Sequence, residues 1–125
     1  MMTPQRPLLF AAGLLGLTGV VLGAFGAHGL RDMLEPAGRM ETWKTAVFYQ
    51  LIHAVALLAL SGWSDPAVRK IGWCWITGVM LFSGSLYGLA LGGPKILGPI
   101  TPLGGIAFLV GWGWLAVSAW KRPVA

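Results

Sequence analysis

Charge is scarce in this 125-residue chain: charged residues make up 10% of it, against about 25% in soluble domains. Only four are acidic. Asp32, Glu35, Glu41 and Asp65 all fall between apolar runs, which argues against a carboxylate-based proton pump and against paired-carboxylate catalysis. A lone cysteine, Cys74, excludes an internal disulfide and any CxxC pair, and reads as a small apolar packing residue. Two histidines, His28 and His53, lie far apart without a third ligand, so no metal site is expected, and no other cofactor. HExxH, GxSxG and Walker signatures are missing, so the chain is expected not to be an enzyme. The net charge of +5 and pI near 10 come from scattered Lys and Arg without a basic stripe, which excludes nucleic acid as the natural partner.

What the chain has instead is apolar length. It is 56% hydrophobic with a mean hydropathy of +0.73. Four runs, near residues 8–27, 46–63, 71–91 and 100–120, are each long enough to cross a bilayer. A helix rises 1.5 Å per residue, so about 20 residues match the roughly 30 Å hydrocarbon core. In lipid a helix satisfies its own backbone. The expected fold is all-α: one domain over residues 1–125, an integral membrane four-helix transmembrane bundle surrounded by membrane lipids. Arg6 before the first run and Ala24-Phe25-Gly26 near its end resemble a signal peptide. Signal h-regions, however, are about 7–15 residues long, and this run is longer, so it reads as a retained span.

Small residues suggest how the spans pack. Gly16, Gly19, Gly23 and Ala27 lie toward one side of the first span, and Gly84, Gly88 and Gly92 repeat every fourth residue in the third. Such stripes let helix backbones approach closely. They suit helix–helix seams, with a pore lining the alternative for the first span, and a homo-oligomer or a membrane protein partner would use the same seams. Between the first two spans, Leu30, Met33 and Leu34 beside Arg31, Asp32 and Glu35 predict a short interfacial helix, broken by Pro36 and Gly38; the second helix should begin near Arg39 or Met40. Asp65 and Pro66 predict a capped helix start. The segment 92–105, rich in proline and glycine yet apolar, is expected to be irregular backbone at the interface or covered by protein.

Four spans put both termini on one side. That side and the second loop hold Arg6, Arg69, Lys70, Lys121 and Arg122; the far side holds Arg31, Arg39, Lys44 and Lys95. The excess favours cytoplasmic termini. Trp63, Trp73, Trp75 and Trp120 fall near the terminal-side interface, Trp112 and Trp114 deeper, and Trp43 alone at the far side.

Polar residues inside the spans are few. Tyr49, Gln50 and His53 share a face of the second helix with Thr42, and His53 lies near mid-depth. An ionisable group there suggests function, although a neutral imidazole bonded to a neighbouring helix explains it too. The third span adds Thr77, Ser83, Ser85 and Tyr87; serine in such a helix commonly bonds its own backbone. By depth, Tyr49, Gln50, Tyr87, His28 and Thr101 gather in the non-terminal half. These residues, with His53, Ser83 and Ser85, form a candidate pocket, or else simply glue helices together.

The ordered motifs Gly23-Ala24-Phe25-Gly26-Ala27-His28-Gly29-Leu30, Trp43-Lys44-Thr45-Ala46, Tyr49-Gln50-Leu51-Ile52-His53-Ala54, Leu81-Phe82-Ser83-Gly84-Ser85-Leu86-Tyr87 and Gly98-Pro99-Ile100-Thr101-Pro102-Leu103-Gly104-Gly105 resemble the family called "domain of unknown function 423", which includes transmembrane protein 256-like proteins. The resemblance covers nearly the whole chain. It implies a small four-helix integral membrane protein, in bacteria of the cytoplasmic membrane, with no particular activity. Two readings follow. One is a non-enzymatic membrane protein acting through its helices, as a homo-oligomer or accessory subunit. The other is a small transporter or lipid- or ligand-binding protein with its pocket in the non-cytoplasmic half.

Overall fold

The computed structural model describes residues 5–121. Arg122, expected as an interfacial anchor, lies outside them. Four long helices carry the fold: α1 (Arg6–Ala27), α3 (Met40–Leu60), α4 (Val68–Ala90) and α5 (Leu97–Lys121), with a single turn, α2 (Arg31–Leu34), between the first two. All four are long and apolar enough to cross a membrane. At 1.5 Å per residue they span roughly 32–38 Å. No strand occurs among the described residues.

Local chemistry sets the ends. Pro7 sits at the start of α1, where an amide would lack a partner anyway. Asp65 Oδ1 accepts the Ala67 N–H at 2.8 Å in the turn before α4. The helix itself begins at Val68 with Ala67 as its N-cap and no side-chain cap, so Asp65 caps the turn and Pro66 is not the first helical residue. Both glycines with positive φ, Gly38 (70°) and Gly92 (85°), close helical segments. At each, two amides reach back to otherwise orphaned carbonyls: Gly38 to Glu35 and Arg39 to Leu34, Gly92 to Leu89 and Gly93 to Gly88. Gly92 therefore ends α4 and takes no part in a glycine seam along it.

Two boundaries differ from expectation. The second span stops at Leu60, because Ser61, Gly62 and Trp63 turn back onto the carbonyls of Leu57, Ala59 and Leu60. The Pro/Gly segment is irregular only up to Ile96; from Leu97 onward it is α5. Pro99 falls in the first turn, where its missing N–H costs nothing, and only Pro102 lies inside the helix.

Consecutive long helices pack in sequence: α1 on α3, α3 on α4, and most extensively α4 on α5. Contact between α1 and α4 is slight, and nothing comparable joins α1 to α5. The bundle thus has α3 and α4 at its centre and α1 and α5 on its flanks. Backbone contact from Gln5 N–H to the Ser61 carbonyl, 3.1 Å, ties the first helix to the end of the second on the terminal side. The larger core, built on Leu8, Leu57, Ile71, Trp75, Val79 and Phe108, lies toward that side; a smaller one of Leu34, Trp43 and Ala90 lies at the far side.

Glycine seams form, on partly different residues from those expected. On α1 the buried line is Leu8, Ala12, Gly19 and Gly26. Gly19 meets Leu51 and Gln50, Gly23 meets Val47, and Gly26 meets the Trp43 indole. Gly16 has open space where a Cβ would stand. Between α4 and α5, Gly78 faces the Phe108 ring, Gly104 lies against the Phe82 backbone, and Gly111 faces the Trp75 indole. Gly88 touches Leu97, but Gly84 faces open space. Gly84 therefore packs no helix within this chain; the α4 face that meets α5 carries Gly78 and Phe82, and of the every-fourth-residue stripe only Gly88 reaches α5.

Candidate functional site

Several polar residues of the spans lie at helix contacts and bond across them. Gln50, midway along α3, ties three helices together. Its Nε2 donates to the Leu15 carbonyl (2.9 Å) and to Thr18 Oγ1 (2.8 Å) on α1, while its Oε1 accepts the Tyr87 hydroxyl of α4 at 2.7 Å. A backbone carbonyl only accepts, so the amide orientation follows from the Leu15 contact. Thr18 completes the set by donating to the Leu14 carbonyl. The Tyr87 ring packs edge-on against Trp43, whose indole N–H donates to the Leu22 carbonyl at 2.8 Å.

Nearby, fully buried Ser83 donates to the Ala46 carbonyl at 2.7 Å, joining α4 to α3 and not to its own helix. Ser85 and Thr101 share a hydrogen bond at 2.5 Å that joins α4 to α5. Each of these bonds satisfies in protein a group that lipid would leave bare.

His53 forms a separate centre. Trp112 Nε1, which only donates, reaches His53 Nε2 at 3.0 Å. The proton therefore resides on Nδ1, which donates to the Tyr49 carbonyl at 2.8 Å. Both ring nitrogens are engaged in a neutral imidazole. The ring stacks on Phe108 at 3.8 Å between centroids and meets Trp75 edge-on. Tyr49, more exposed, stacks over Phe108 and meets Phe82 at a tilt.

The expected pocket residues thus separate into a Gln50–Tyr87 staple, two serine bonds and the His53–Trp112 pair. His28 joins none of them. It is exposed beyond α1, beside Val21, Ala24, Phe25 and Gly29 on an outer groove. Depth places it near Tyr87, but its direction around the helix takes it outside. Grooves on the protein hold about 230–380 Å³, and their linings are almost wholly apolar. None of these five is lined by Gln50, His53, Ser83, Ser85 or Tyr87. Among the described residues no three His, Cys, Asp or Glu side chains converge as metal ligands.

The sequence does not single out Thr18, and it marks Trp43, Trp75 and Trp112 by depth and motif, not as hydrogen-bonding or core groups. Thr18 resembles any self-bonded threonine until Gln50 is seen opposite it. Trp75, expected in an interfacial belt, is 1% exposed. Its Nε1 is buried without a hydrogen-bond partner.

Four apolar helices, bonded to each other by single polar side chains, define a multi-pass membrane protein. Residues 22–105 match the family described as "Protein of unknown function (DUF423)". The chain belongs to this family. It is 43% identical over 122 residues to the "UPF0382 membrane protein YwdK" of Bacillus subtilis, covering 94% of this chain and 98% of the relative. It is 41% identical to "UPF0382 membrane protein SSP2132" of Staphylococcus saprophyticus, over 94% and 99% of the two chains. With "UPF0382 membrane protein C1782.12c" of Schizosaccharomyces pombe it shares 42% identity, over 85% and 95%. No solved structure matches the chain.

Proposed function

We propose that this protein is a non-enzymatic membrane component that works by helix–helix association, as a homo-oligomer or as an accessory subunit of a membrane complex. One observation carries the reading: its small residues are only partly used up inside the chain. Gly13 and Gly16 both have open space where a Cβ would stand. They line an outer groove with Leu9, Ala12, Ala54, Val55 and Leu58, of about 230 Å³. Small residues on an outer face admit the close backbone approach that drives helix association in lipid. The internal polar groups, by contrast, are committed to holding the chain's own helices.

In this reading the protein resides in the cytoplasmic membrane with both termini in the cytoplasm, supported by the larger number of Lys and Arg on the terminal side. The carboxylates stay outside the hydrocarbon and take no catalytic part. The pocket alternative has less support, because Gln50, Tyr87, Ser85 and His53 spend their hydrogen bonds on protein partners.

Site-directed cross-linking tests the reading. With Cys74 replaced by alanine, Gly16→Cys in native membranes should yield a discrete dimer or a discrete heavier adduct. A chain that stays monomeric and partnerless with cysteine at either Gly13 or Gly16 overturns it.

A further inference from the structure

A different groove, on the α4–α5 face, is charged at one end. It measures about 370 Å³ and is lined by Lys70, Trp73, Cys74, Thr77, Ala107 and Trp114. The four α4 residues fall at i, i+3, i+4 and i+7 from Lys70, so they form one stripe on the outer surface. From Lys70 to Thr77 this stripe runs about 10 Å along the helix, from the interfacial turn toward the bilayer centre. Lys70 Nζ stands 5.9 Å from the centroid of the Trp114 ring, at the groove's outer end. Lys121 lies two turns beyond Trp114 on α5, on the same face and exposed.

The charge around this end is one-sided. The terminal side holds Arg6, Arg69, Lys70 and Lys121 among the described residues, against a single carboxylate, Asp65. Asp65 is occupied in the turn before α4. Arg31–Glu35 and Lys44–Glu41, ion pairs among the described residues, are on the far side. An apolar channel that opens onto a cation at the interface matches an amphiphile with an anionic head.

We propose that this groove is a binding site for one anionic phospholipid, its phosphate held by Lys70 and Lys121 and the upper part of an acyl chain laid between Trp73 and Trp114. The site needs only the membrane location, so it stands whether or not the helix-association reading holds.

Native mass spectrometry of the full chain, released from nanodiscs of equal phosphatidylglycerol and phosphatidylcholine with identical acyl chains, tests it. The wild type should retain one phosphatidylglycerol in preference. A cation at a membrane surface contributes about 1 kcal/mol to such attraction, so Lys70→Gln should cut retention about fivefold. Lys95→Gln, on the far side, should leave it unchanged. Ala107→Leu, which fills the channel, should weaken retention with Lys70 intact; if that variant does not fold, exposed Thr77→Leu takes its place. Equal retention of the two lipids, or wild-type retention by Lys70→Gln, overturns the proposal. So does full displacement by water-soluble glycerol phosphate, which would show that the acyl channel contributes nothing.

Discussion

Trp112 donates its indole N–H to Nε2 of His53, and that bond, at 3.0 Å, fixes which nitrogen of a mid-span histidine carries the proton. The pair joins α3 to α5, two helices whose backbones make no extensive contact. Trp112→Phe leaves Nε2 without a donor. Hydrogen bonds between membrane helices average about 0.6 kcal/mol and reach about 1.7. A double-mutant cycle of Trp112→Phe with His53→Leu, read by unfolding in lipid or mixed micelles, should give a coupling in that range. Zero coupling would mean that the two rings merely touch.

Gln50 bonds α1 and α4 simultaneously, so its loss should exceed that of either partner. Gln50→Leu is expected to cost about 1–2 kcal/mol, and Tyr87→Phe about 1 kcal/mol. Their effects should fall short of additive in the double variant, since both remove the same bond. Thr18→Val should cost least, because the Leu15 carbonyl still receives Nε2. The check is the order of unfolding midpoints across the four variants.

Gly84 and Gly104 should respond to alanine with opposite signs. In open space at Gly84, a methyl group gains up to about 1 kcal/mol of helix propensity. At Gly104 the same methyl meets the Phe82 backbone nitrogen, which cannot rotate away. Overpacking of that kind costs about 1–3 kcal/mol. Unfolding midpoints that shift in the same direction would contradict the seam as described.

Trp43 and Trp75 are both buried, but only Trp43 has a partner for its N–H. Phenylalanine at Trp43 forfeits a hydrogen bond; at Trp75 it removes a buried donor that bonds nothing. A net bond contributes about 1 kcal/mol, and an unsatisfied buried group costs about 1–3. Trp43→Phe should therefore destabilise by at least about 1 kcal/mol more than Trp75→Phe, measured under identical conditions.

The spans and the interfacial turn were legible because length and hydropathy act locally. Depth was legible too: Gln50 and Tyr87 were grouped by it, and they bond. Direction around the helix was not. His28 shares the depth of the cluster and faces outward, and Trp75 sits at belt depth but points into the core. The Gly78–Gly104–Gly111 seam escaped notice since its members come from two helices, and no spacing within either one announces the match. Gly104 was further masked by its setting among prolines, which read as irregular backbone although Pro99 is harmless in a first turn.

The absence of extensive packing between α1 and α5 bears on how the chain is assembled. Each span docks mainly on the one synthesised just before it, and no major interface waits for the last helix to return to the first. The Gln50 staple is complete once α4 has entered the membrane, before α5 is needed. Loop closure at each step involves only short connections, so its entropic cost stays small. Order of synthesis and order of packing coincide, and the fourth span is added to a unit already bolted together.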